Sequence, residues 1–157
     1  NLTPYRAVLL ALAPWLYPWL PRALTPGFLA RQYDRKTLQA AFANVFGDSP
    51  SGVQQQFARW IREGSFDSND GRDDYFAGIA EIRVPTLVIA GSDDRLAPPD
   101  SVRAAFHNLR CGEKAFFEAG VSAGARDEYD HLDLILGVHA PADVFPRVGD
   151  WLSVTSR

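Results

Sequence analysis

Apolar residues along this chain follow two rhythms, and the change falls near residue 83. Upstream the spacing is helical. Over residues 29–46, Leu38, Ala41, Phe42, Val45 and Phe46 form an apolar stripe that ends at Gly47. A second helix is expected from Ser49, with Pro50 in its first turn. It carries Val53, Phe57, Trp60 and Ile61 on one face and stops at Gly64. Residues 65–74, rich in Asp, Ser, Gly and Asn, read as an exposed loop, and a short helical turn follows over 75–82.

From Val84 the rhythm alternates between strands and helices. TLVIA (86–90) is a continuous apolar run bounded by Pro85 and Gly91, the pattern of a strand buried on both faces. Pro98-Pro99-Asp100 opens a helix carrying Val102, Ala105, Phe106 and Leu109, and Ala115-Phe116-Phe117 forms a second strand. Pro141 opens a last helix with Val144, Phe145, Val148, Trp151 and Leu152 on its inner face. This order defines a βαβ unit with a parallel pair, so the expected class is α/β. Two parallel strands alone cannot bury their faces and edges. The expectation is therefore a piece of a larger sheet, with a helical segment over residues 1–82 and the α/β part over residues 83–157. A chain without methionine fits a segment cut from something longer.

Composition narrows the function classes. The chain is 46% hydrophobic and 22% charged with a net charge of −3, so no basic excess or Lys/Arg cluster invites nucleic acid. One cysteine, Cys111, excludes an internal disulfide, and its setting between a helix and a strand reads as a passive thiol. No histidine or cysteine pair has metal-ligand spacing. The apolar stretch 7–21 (AVLLALAPWLYPWLP) is shorter than the ~20 residues a membrane helix needs. Interrupted by Pro14 and Pro18 and closed by Pro21, it suits a bent surface or lid helix, either packed down or lining a hydrophobic entrance.

The candidate chemistry lies where the strands end. Gly91 permits a tight turn and Pro98-Pro99 start the next helix, so Asp93 and Asp94 between them are held at the C-terminal edge of the sheet. The second strand leads through a longer loop, 118–130, to His131. Parallel neighbours lie ~4.8 Å apart, so residues just past their ends meet at the edge where open α/β sheets hold their sites. A carboxylate there can fix the imidazole tautomer and leave the other nitrogen as a base. His107, on a helix, and His139, near a helix start, read as structural. Asp130 and Asp133 flank His131 and could tune its charge, but solvation at the surface is the expectation for both.

VPTLVIAGSDDRLAPP is similar to the acid-bearing strand and turn of the α/β-hydrolase family, in which the triad acid stands three residues after the glycine. YDHLDLILG, followed by a helix ending in Trp151-Leu152, resembles that family's histidine loop. The resemblance covers residues 84–154 in order and spacing, whereas residues 1–82 are only loosely similar to the cap inserted before the acid strand. It implies Asp94 as the triad acid, with Asp93 as the alternative, and His131 as the triad histidine. It also implies a nucleophile upstream, outside these 157 residues, and cleavage of ester or thioester bonds without cofactor or metal. The apolar Leu9, Leu10, Trp15, Leu16 and Trp19 favour a hydrophobic acyl substrate, with Trp15, Leu16 and Trp19 as the expected binding residues. The implied partner is a small ester or acyl compound, in a cytoplasmic protein. The alternatives are an acyltransferase of the polyester-synthase type with a cysteine nucleophile, and a non-catalytic relative that kept the fold.

One further motif needs weighing. Gly120-Val121-Ser122-Ala123-Gly124 matches the G-x-S-x-G nucleophile elbow and even follows a strand. An elbow should run into a helix rich in small residues, yet Arg126-Asp127-Glu128-Tyr129-Asp130 comes next. Chain order also disagrees, because Ser122 follows Asp94. The expectation is a flexible loop.

Overall fold

The computed structural model describes residues 50–155, together with Leu12 and a few positions between 33 and 41. The expectations for 7–21 and for most of 29–46, and with them Trp15, Leu16 and Trp19, lie outside the described residues. Within 29–46, Lys36, Thr37, Ala40 and Ala41 are helical but Tyr33 and Asp34 are not. The Asp34 carboxylate accepts from the N–H groups of Lys36 at 2.9 Å and Thr37 at 3.0 Å, so it caps a helical stretch that starts later than expected.

Helix α1 (Ser51–Glu63) begins after Pro50 and ends at Gly64. Gly64 adopts φ +64° and donates its N–H to Trp60 O at 2.8 Å, a left-handed stop that favours glycine. Of the four residues expected on one face of α1, Trp60 alone is half-buried. Val53, Phe57 and Ile61 are exposed, and helix α1 instead turns Gln56, Arg59 and Trp60 toward the 65–74 loop. Trp60 stacks edge-on against Phe66 and Tyr75 and donates its indole N–H to Asp67 O at 2.9 Å, while Arg59 pairs with the Asp67 carboxylate at 2.8 Å. The loop is mostly exposed, as its composition implies, but it is built around the buried Ser68. That hydroxyl accepts from the N–H groups of Arg72 and Asp73 and donates to Asp70 at 2.7 Å. The turn over 75–82 is helix α2 (Tyr75–Gly78), capped by the Asp74 side chain, and the 3-10 turn Ile79–Glu81.

The second half is mixed α/β, as its rhythm predicts. Strand β1 (Thr86–Gly91) runs parallel to β2 (Lys114–Ala119), with Thr86 opposite Lys114 and Gly91 opposite Ala119. Helix α3 (Pro99–Asn108) crosses between them. Side chains alternate across the pleat, and both faces of β2 are used. Phe116 meets Phe106 of α3 at 5.5 Å and lies under the Arg103 guanidinium. Phe117 faces the opposite side, packing with Ile89 against a core of Ala119, Tyr129, Ala140 and Val144. Lys114 ties the start of β2 to the end of α3 by donating to Phe106 O at 3.1 Å and Leu109 O at 2.7 Å, a cation at a helix C-terminus. Among the described residues the sheet has these two strands.

Three helices close the chain: α4 (Asp133–Leu136), α5 (Ala140–Asp143) and α6 (Phe145–Thr155). The single last helix expected from Pro141 is therefore two, broken at the buried Val144. Pro146 has no N–H to continue the helical ladder across that point. Leu152 is exposed and does not belong to the inner face, and Phe145, also exposed, stands at its margin.

Candidate functional site

The C-terminal ends of β1 and β2 are welded together by the loop that follows β2. Ser92 N–H donates to Ala119 O at 2.9 Å and Asp93 N–H to Tyr129 O at 2.9 Å. Gly91 makes this approach possible: a Cβ there would stand 2.5 Å from the Tyr129 carbonyl oxygen. The Ser92 hydroxyl adds a bridge, donating to the Glu128 carboxylate and accepting from Tyr129 N–H at 3.3 Å. Tyr129 is fully buried, so Ser92→Ala should leave its N–H unpaired at a cost of about 1–3 kcal/mol. Urea unfolding measures this, and an unchanged midpoint would show that the bridge holds nothing.

This weld brings the acid turn and the histidine together. Asp94 Oδ2 lies 2.8 Å from His131 Nδ1. The other carboxylate oxygen of Asp94 accepts from the N–H groups of Leu96 at 2.9 Å and Ala97 at 2.8 Å, so the carboxylate plane is set by the turn itself. Asp94 is 4% exposed, while the His131 side chain remains 39% exposed. Such a pair shields the acid and leaves the imidazole reachable. Of the two candidate acids the histidine bond goes to Asp94; Asp93 uses its backbone to hold the loop. An apolar cavity of about 500 Å³ opens beside His131, with Ile89, Leu132, Ile135, Phe145 and Val148 among its walls.

Two acids beside His131 depart from expectation. Asp130 is 8% exposed and Asp133 1%, so neither is solvated. Asp130 Oδ1 accepts the His131 N–H at 2.6 Å, and Asp133 Oδ2 accepts the Asp130 N–H at 3.0 Å. Burial pushes the Asp130 carboxyl above its ordinary range, against the pull of the His131 N–H. Burial also lifts Asp133 to about 6, opposed by the Asp130 N–H and reinforced by the Asp130 and Asp127 charges. An unfolded aspartate titrates near 4 (about 3.9). Between roughly pH 4 and 6 the folded chain thus keeps a proton that the unfolded chain has lost, and stability falls as pH rises through that window. Asp133→Asn should remove that loss, up to about 3 kcal/mol. The check is the urea midpoint of both proteins at pH 4 and pH 7; equal pH dependence would contradict the assignment.

The remaining candidates lie apart from the pair. Ser122 is exposed on the 3-10 turn Val121–Ala123 and makes no hydrogen bond with His131. No non-glycine residue among the described ones has positive φ, so the strained turn of a nucleophile elbow is not present at Ser122. Cys111 is buried before the start of β2, at the end of the sheet opposite His131. His107 is exposed on α3, and His139 stands at the start of α5, where its side chain meets Asp127 at 3.5 Å. Among the described residues no group of His, Cys, Asp and Glu could hold a metal ion, and no helix is long and apolar enough to cross a membrane. Compared with protein-family models, curated proteins and solved structures, the chain matches none.

Proposed function

We propose that Asp94 and His131 are the acid and base of a hydrolase that cleaves ester or thioester bonds of an apolar acyl substrate. The 2.8 Å bond from the half-exposed imidazole to a buried, twice-capped carboxylate carries this reading. Asp94 holds the proton on Nδ1, so the Nε2 lone pair is the basic one. Nε2 takes the proton of a hydroxyl or thiol nucleophile as that group attacks the acyl carbonyl. It then hands the proton to the departing alcohol or thiol, and repeats the exchange with water to release the acid. Asp94 stabilises the imidazolium throughout without becoming protonated. The apolar cavity beside His131 supports the acyl character of the substrate. In this reading the parallel pair is the C-terminal part of an α/β-hydrolase sheet, residues 1–82 form its cap, and the nucleophile is a residue other than Ser122.

A fluorophosphonate probe on the full-length protein, followed by peptide mapping, tests the proposal. The label should fall on a serine or cysteine other than Ser122 and should disappear in His131→Ala. Labelling at Ser122, or labelling and esterase turnover that survive His131→Ala, would overturn it.

A further inference from the structure

We infer that Asp133 is a positioning residue for His131: with Asp130 it forms a reciprocal hydrogen-bonded box that holds the histidine turn where Nδ1 meets Asp94. The inference rests on reading His131 as the base. Asp133 N–H donates to Asp130 O at 3.2 Å, and Asp133 Oδ2 accepts the Asp130 N–H at 3.0 Å. These two bonds close a ring around His131 and Leu132. Asp130 Oδ1 then accepts the N–H of His131 itself at 2.6 Å. The arrangement resembles the side-chain-to-backbone half of a capping box, but it forms a turn ahead of the four-residue helix, whose N-cap is Leu132. What the box fixes most directly is the residue inside it.

The cost of the arrangement points the same way. Asp133 is among the most buried residues of the described chain, and its Oδ1 has no hydrogen-bond partner. Burying an unpaired carboxyl oxygen is unfavourable, and an apolar residue of similar size avoids that penalty. The compensation is at Oδ2, which accepts the Asp130 N–H. Local conflict of this sort, kept one turn away from reactive groups, is the pattern expected where geometry matters more than stability. The imidazole has little else to orient it, since its side chain is 39% exposed and Asp94 grips one nitrogen. A displacement of about 1 Å at such a group costs on the order of a hundredfold in rate.

The test uses the full-length protein and two readouts: the downfield Nδ1–H proton signal of His131, and kcat and KM on p-nitrophenyl butyrate. Asp133→Leu should abolish the signal and lower kcat about a hundredfold, with KM within about threefold. Asp133→Asn, which keeps an oxygen for the Asp130 N–H, should preserve signal and kcat within about threefold. A folded Asp133→Leu protein with signal and kcat unchanged overturns the inference. So does an Asp133→Asn protein that loses both, because charge rather than the box would then be at work. If Asp133→Leu does not fold, Asp133→Ala decides, because it removes Oδ2 without adding bulk: a weaker signal and about tenfold lower kcat support the box, and wild-type values overturn it. A signal lost in Asp133→Leu from a protein that hydrolyses no ester sustains the positioning and removes the hydrolase reading. An ester hydrolase inactivated by His131→Ala but indifferent to Asp133→Leu does the reverse.

Discussion

Asp94→Asn is expected to lower ester hydrolysis by the full-length protein about ten-thousand-fold, almost entirely in kcat. The size follows from which way the amide must point. Two backbone donors, Leu96 N–H and Ala97 N–H, converge on Oδ1. An asparagine NH2 cannot occupy that position, because it would face two donors. Its oxygen therefore turns to Leu96 and Ala97, and its NH2 faces His131 Nδ1. A donor at Nδ1 requires the ring to accept there, so the proton moves to Nε2 and the basic nitrogen disappears. The fold is untouched, since the amide keeps the size and the two caps of the carboxylate. KM should change little, because Asp94 lies behind the histidine. Nitrogen chemical shifts of labelled His131 report the tautomer directly. A variant that stays within tenfold of wild type, or one that keeps the Nδ1–H tautomer while losing activity, would refute the assigned role.

Some of this site was readable before any coordinates. The apolar run at 86–90 and the Phe116-Phe117 pair are bounded by Pro, Gly and charged residues, so the βαβ order and the meeting of the acid turn with His131 follow from spacing, while Asp94 over Asp93 is what the resemblance implies. The strand ends were less visible because polar residues occupy them for local reasons. Lys114 reaches back to cap α3, and Glu118 pairs with Arg103 at 2.6 Å. Neither looks like a strand residue in isolation. The choice between Asp93 and Asp94 depends on a backbone turn, in which Asp94 N–H bonds Gly91 O at 3.2 Å while Asp93 N–H bonds Tyr129 O. Residue types alone cannot settle such a turn.

Asp130 and Asp133 show why the rest was hidden. Two acids three apart beside a histidine look like a solvated helix start, since buried carboxylates are rare. The signal that could have found them is the D-x-x-D spacing ahead of an apolar run, which fits a capping box as readily as a polar surface. Burial came from the weld between the loop and β1, a long-range contact that local pattern does not carry. On α1 the helical spacing was legible, but the side of the helix that meets the 65–74 loop is set by Arg59 and Trp60, which spacing alone does not show.

Gly91→Ala is expected to be the most damaging single methyl in the described structure, costing about 2–4 kcal/mol and separating Asp94 from His131. The new Cβ would lie 2.5 Å from Tyr129 O, 3.1 Å from Tyr129 C and 3.2 Å from Asp130 O, all of them backbone. No rotamer change relieves such an overlap. Either β1 or the 129–131 backbone must move, and each carries one member of the pair. Gly120→Ala makes an instructive comparison, because its Cβ would overlap the Ser92 side chain and the Glu128 carboxylate instead. Deleting that obstacle with Ser92→Gly should recover part of the loss, with a coupling of about 1–3 kcal/mol between the two substitutions. Ser92→Gly gives Gly91→Ala no such relief, since the atoms in its way belong to the main chain. Urea unfolding of the singles and both doubles, with the His131 Nδ1–H signal alongside, separates the cases. If Gly91→Ala unfolds at the wild-type midpoint with that signal intact, the loop does not lie against the end of β1, and the weld that brings acid to histidine is wrong.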